Sequence, residues 1–153
     1  MDAVLHALFG FLACIGFAVI YNIHGLGILI CALGGALGCL VHALSAPLFQ
    51  SDITQTLAAA VVIAAYSEIM ARIRKCPVTG YLLVAIFPLV PGASIYYTMG
   101  YAINGELDAF LPSLIHTIGV GGAIAVGALL VSTIVRMTPW YHAPAPRQEV
   151  SKA

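Results

Sequence analysis

The sequence predicts an all-α integral membrane protein of five transmembrane helices, the fourth broken near the midplane, with the N-terminus outside and the C-terminus inside. Three observations carry that prediction. Apolar residues make up 61% of the 153-residue chain and charged residues 8%, with a mean hydropathy of +1.02, far from soluble averages. Five apolar stretches are each long enough to cross a bilayer, for which about 20 residues suffice. The fourth stretch is interrupted by Phe87-Pro88-Leu89-Val90-Pro91-Gly92-Ala93-Ser94.

The first stretch runs from Ala3 to Tyr21 and stops at Asn22 to His24. It does not read as a signal peptide, because Asp2 stands where a basic leader is expected and no polar mature domain follows. The second spans Gly25 to Leu44 and ends in the breakers around Pro47; the third spans Ile53 to Ile73 and ends at Arg74 to Pro77. The fifth covers Ala109 to Met137 after the polar Asn104 to Asp108. Residues 1–138 therefore form one transmembrane domain, and residues 139–153, rich in proline and charge, a disordered cytoplasmic tail.

The fourth stretch, Val78 to Ile103, carries the most information. Pro88 and Pro91 lack amide donors, so the carbonyls of Val84 and Phe87 lose their helical partners. At 1.5 Å per residue the break lies roughly 15–20 Å into the membrane. Unpaired backbone at that depth needs protein or a water-filled cavity around it, and broken helices at the midplane are how many transporters build substrate sites. A proline kink that only shapes packing is the alternative.

Orientation follows from the cations. Arg72, Arg74 and Lys75 lie between the third and fourth helices, and Arg136, Arg147 and Lys152 close or follow the fifth. With five spans all six share one face, which the positive-inside rule makes cytoplasmic. Asp2, Asp52, Glu106 and Asp108 fall outside.

Zero formal charge gives no electrostatic case for nucleic acid, and the length leaves no room for a nucleotide-binding domain. Cys14, Cys31, Cys39 and Cys76 form no C-x-x-C and read as small apolar fillers. None of the five histidines stands at metal-ligand spacing from another His, Cys, Asp or Glu, so neither a metal nor another cofactor is expected. Gly34, Gly35 and Gly38 on the second helix, and Gly119, Ala123 and Gly127 on the fifth, form small-residue stripes of the kind that let membrane helices approach. Five short helices enclose a polar solute poorly, so a partner chain or a homo-oligomer is expected.

At the level of motifs, Ala71-Arg72, Pro77, Pro88-Leu89-Val90-Pro91-Gly92, Tyr96-Tyr97 and Met99 resemble the signature of the threonine/serine exporter family. Gly16-Phe17-Ala18 with Tyr21-Asn22 is similar to that family's opening motif. The resemblance covers roughly residues 10–135. It implies export of threonine, serine or a related small carboxylate across the plasma (inner) membrane, and no enzymatic reaction. It further implies that the chain is the short carboxyl-terminal half of an exporter whose larger amino-terminal half is a separate subunit.

The candidate site residues follow from chemistry. Past the break, a half-helix beginning near Ala93 exposes amide donors and a positive dipole end, suited to a carboxylate. The substrate-binding candidates are Pro88, Pro91, Gly92, Ser94, Tyr97 and Thr98. Ser94 and Thr98 bonding back to their own helix is the alternative. Glu68 is the one acid inside a span, and Arg72 four residues on makes it either a coupling site or an ion pair. His116 is the candidate proton carrier. Two functions are consistent with all of this: a subunit of a secondary exporter, or a non-transporting scaffold that stabilises a partner.

Overall fold

A computed structural model describes residues 2–137 of the chain; the predicted tail lies outside them. The described residues form α1 (Asp2–Ile20), α2 (Leu26–Ser45), α3 (Asp52–Arg74), α4 (Val78–Ile86), a 3₁₀ turn (Phe87–Leu89), α5 (Gly92–Asn104) and α6 (Leu107–Met137), with no strand among them. Helices α1, α2, α3 and α6 are each long and apolar enough to cross a membrane. α4 with its 3₁₀ turn and α5 pass the same test together and are bent by 57° at the break.

Three helices end in the same way. Asn22 and Lys75 adopt positive φ, as does Gly105. The next amide reaches back to the turn before: Ile23 to Ala18, Cys76 to Ala71, and Glu106 to Tyr101, at 2.9–3.0 Å. These Schellman stops satisfy carbonyls that a membrane interface would otherwise leave open. The breakers at Asn22 and near Arg74 thus have a definite mechanism.

Without water between them, membrane helices associate through close packing of small side chains. α1 and α2 interlock with a reciprocal pattern. The Cys39 thiol sits over Gly10, and the Cys14 thiol sits over Gly35. α2 meets α3 where Gly38 receives Ile63 and Gly34 receives Tyr66, whose hydroxyl donates to the Ile30 carbonyl at 3.1 Å. α4 runs alongside α2 in the same direction, with Tyr81, Ala85 and Leu89 against Gly27, Gly34 and Gly38. The glycine stripe of α2 is therefore spent inside the chain. So is that of α6, where Gly119 lies under Ile53 and Gly127 under Ala60 and the backbone of Leu57 and Val61. Neither stripe offers a surface to a partner.

Those last contacts advance together along both helices, so α3 and α6 run parallel. His116 lies level with Asp52, the first residue of α3. The chain leaves α3 at one end of the bundle and enters α6 at the other.

The core is built from small residues. One cluster includes Cys14, Ala18, Cys31, Ala71 and Val84, and a second joins Ala59, Ile63, Ala85 and Leu89. Large apolar side chains such as Leu12, Ile115, Ile118 and Leu129 point outward, which is where a bilayer receives them.

Candidate functional site

The break follows from the two prolines step by step. Pro88 cannot serve the Val84 carbonyl, and two other donors replace it. The Phe87 amide turns in to it, and the Cys14 thiol donates to it from α1 at 3.3 Å. Cys14, read from the sequence as a filler, is therefore a backbone partner. The Phe87 carbonyl, which Pro91 cannot serve, accepts from the Val90 amide at 3.2 Å. Pro91, at φ −77° and ψ 59°, centres an inverse γ-turn in which the Gly92 amide donates to the Val90 carbonyl at 2.8 Å. The first helical bond of α5 then runs from the Ile95 amide to the Pro91 carbonyl. Among the described residues, the Ala93 and Ser94 amides are left without a backbone acceptor.

The depth of the break can be read from its neighbours. Leu89 packs over Gly38, which also receives Ile63, the central residue of α3. The break sits halfway along a full-length span. Phe17 on α1 lies over Phe87 at this level, with ring centroids 3.6 Å apart.

A cavity of about 570 Å³ reaches the break from the end of the bundle opposite the Arg72–Lys75 turn. Its floor is Pro88 to Pro91 and Ser94, and its walls include His6 on α1, Cys39 and His42 on α2, and Asp52 and Thr56 on α3. A smaller cavity of about 390 Å³ lies at the other end, beside His24, Arg74, Cys76 and Tyr81.

The structure distributes the predicted residues unevenly. Pro88, Pro91 and Ser94 line the larger cavity. Gly92 is the first residue of α5; it is exposed and has open space where a Cβ would stand. Tyr97 faces outward at 59% exposure, edge-on to Tyr96. Thr98 is buried between α5 and α6. Its hydroxyl donates to the Ser94 carbonyl at 2.7 Å and accepts from Ser113 at 2.6 Å, while Thr117 donates to the Ser113 carbonyl. That hydroxyl zipper holds α5 on α6, and Thr98 contributes to it rather than to the cavity lining. Glu68 and Arg72 approach to 3.9 Å on α3 and line neither cavity.

His116 is the third case. Its Nε2 lies 3.2 Å from Asp52 Oδ2, and His42 Nε2 lies 3.1 Å from Asp52 Oδ1. One carboxylate thus joins three helices at the cavity wall. Sequence spacing missed this cluster, because its members stand 10 and 64 residues apart on α2, α3 and α6. A usable signal did exist: the predicted topology puts the end of the second helix and the starts of the third and fifth on one face. Among the described residues no group of three His, Cys, Asp or Glu is arranged to hold a metal ion.

No curated relative and no solved structure matches this chain. The family model described as threonine/serine exporter, ThrE, matches residues 6–134, and that stretch contains α2 to α5, the break and the cavity floor. This is a family of membrane transporters rather than enzymes, and the apolar helices place the chain as a multi-pass protein of the plasma membrane. The matched stretch carries the broken helix that opens onto the cavity, and the chain belongs to the threonine/serine exporter family.

Proposed function

We propose that this chain is the short membrane subunit of a secondary exporter, moving threonine, serine or a related small carboxylate together with a larger partner half. One observation carries the reading. The unpaired Ala93 and Ser94 amides begin a helix at mid-depth, beside the floor of a 570 Å³ cavity. Amides at a helix start attract a carboxylate through hydrogen bonds and the helix dipole together. The Ser94 side chain, at the same turn and on the cavity lining, adds a hydroxyl. A chain without a nucleotide-binding loop draws its driving force from a gradient.

The test is reconstitution. Liposomes holding labelled threonine are expected to release it when this chain is present with the larger half, and to retain it when either is present alone. Vigorous efflux with this chain alone overturns the partner requirement. Efflux that depends on the chain but survives straightening of its broken helix favours the scaffold.

The parallel course of α3 and α6 supports a five-span topology. α4 and α5 then cross the membrane once between them, and Arg72, Arg74, Lys75 and Arg136 share the cytoplasmic face. Cys76 is exposed beside that basic turn. An impermeant maleimide added outside intact cells should leave Cys76 unmodified, read by mass spectrometry of its peptide, and should modify it after permeabilisation. Ready labelling from outside inverts the topology.

A further inference from the structure

The His42–Asp52–His116 cluster is not needed to hold any helix together. α2 already packs on α3 through Gly38 and Gly34, and α6 through Gly119 and Gly127. All three side chains are partly exposed, Asp52 to 47%. Among the described residues, Asp52 is the one carboxylate on the cavity lining, and no Lys or Arg shares that lining. A carboxylate offers about four lone-pair directions. The His42 imidazole is hydrogen-bonded to Oδ1, and the His116 imidazole stands 3.2 Å from Oδ2, so the carboxylate keeps lone pairs that neither ring takes.

The structure assigns Asp52, held in place by His42 and His116, as the cation-recognition residue of this cavity, where it takes the ammonium group of the substrate. This rests on the exporter reading above and narrows it. The cavity has acceptor oxygens on the wall at the first residue of α3 and Ser94, in the first turn of α5, on its floor, so it offers groups of both kinds to a zwitterion. His42 and His116 are positioning residues, one standing beside each oxygen of Asp52.

Cys39 lines the same cavity, and its alkylation reports occupancy without any transport. Cys76, exposed at the opposite end, serves as internal reference. The full chain in lipid nanodiscs is treated with a small maleimide in the presence of three probes. These are L-threonine, 3-hydroxybutyrate (threonine without its amino group) and 1-amino-2-propanol (threonine without its carboxylate). Threonine is expected to protect Cys39 at about tenfold lower concentration than 3-hydroxybutyrate, the scale of one hydrogen-bonded charge. The amino alcohol should protect as well. Asp52→Asn should bring threonine to the level of 3-hydroxybutyrate and abolish protection by the amino alcohol. Asp52→Glu, which keeps the charge, should retain both effects.

The assignment is overturned if Asp52→Asn keeps the tenfold preference, or if the amino alcohol protects parent and variant alike or protects neither. Should Asp52→Asn also lose protection by 3-hydroxybutyrate, the glutamate variant decides: a retained preference supports the assignment and a lost one overturns it. The two readings also fail separately. Asp52-dependent protection by the amino alcohol, with no efflux in liposomes, leaves the cation site standing and removes the exporter. Efflux together with a preference indifferent to Asp52→Asn does the reverse.

Discussion

A chain carrying Pro91→Ala and Gly92→Ala is expected to reach the membrane at the parental level and to lose export by about tenfold or more, the scale set by lost hydrogen bonds to a charged group. Alanine at position 91 brings an amide within reach of the Phe87 carbonyl, which now makes do with Val90. The inverse γ-turn at Pro91 then has no reason to form, and the 57° bend relaxes towards the milder kink that Pro88 alone imposes. The Ala93 and Ser94 amides turn into helical bonds with Leu89 and Val90, so the carboxylate loses its donors. Folding is not at risk. Position 92 has open space for a methyl group, and alanine is the better helix former at both sites. Expression in membranes and labelled-threonine efflux with the partner half are the two measurements. Parental efflux would show that the break is only a kink, and low expression that it is a packing device.

The largest structural effect is expected from Gly35→Val. A Cβ there would overlap the Cys14 thiol, with the Cys14 Cβ 3.3 Å and the Gly10 carbonyl 3.4 Å away. The thiol has little freedom to retreat, because Cys14 is fully buried and donates to the Val84 carbonyl. α1 must move off α2, and the carbonyl orphaned by Pro88 loses its second donor in a place without water. Overpacking of this kind costs about 1–3 kcal/mol, or roughly 2–12 °C in melting temperature for a chain of this size. Gly121→Val, placed where nothing stands within 4 Å, should change the melting temperature little in the same detergent. Adding Cys14→Ala to Gly35→Val should recover part of the loss, because the clash goes with the sulfur. Equal effects at positions 35 and 121 would sink the interlock.

Much of this molecule was legible in one dimension because a bilayer imposes simple rules. Length and apolar content define spans, so four of the five predicted stretches each match one helix to within a few residues, Ala3 to Tyr21 becoming Asp2–Ile20 and Ala109 to Met137 becoming Leu107–Met137, while the fourth covers α4, the 3₁₀ turn and α5. Proline chemistry is local, so the break and the stranded carbonyls of Val84 and Phe87 could be named from Pro88 and Pro91 alone. The Glu68–Arg72 pair, four residues apart on one helix, was likewise visible.

What replaces a lost hydrogen bond is not local, and only the tertiary structure decided it. The donor to Val84 comes from Cys14, 70 residues earlier, and nothing in the composition of the first helix marks that cysteine. Thr98 lies one turn past Ser94 on α5, yet its hydroxyl is spent on Ser113 of the facing helix. The glycine stripes of α2 and α6 announce close approach without saying to what, and packing turned both inward. Asp52 reads in sequence as a loop acid, and it acquires its role because α2, α3 and α6 bring His42 and His116 to its two oxygens. The sequence by itself determined the helices, their breaks and their apolar surfaces, since these follow from the solvent and from single residues. The donors, clefts and charges of the site are set by which helices touch, and that is a property of packing.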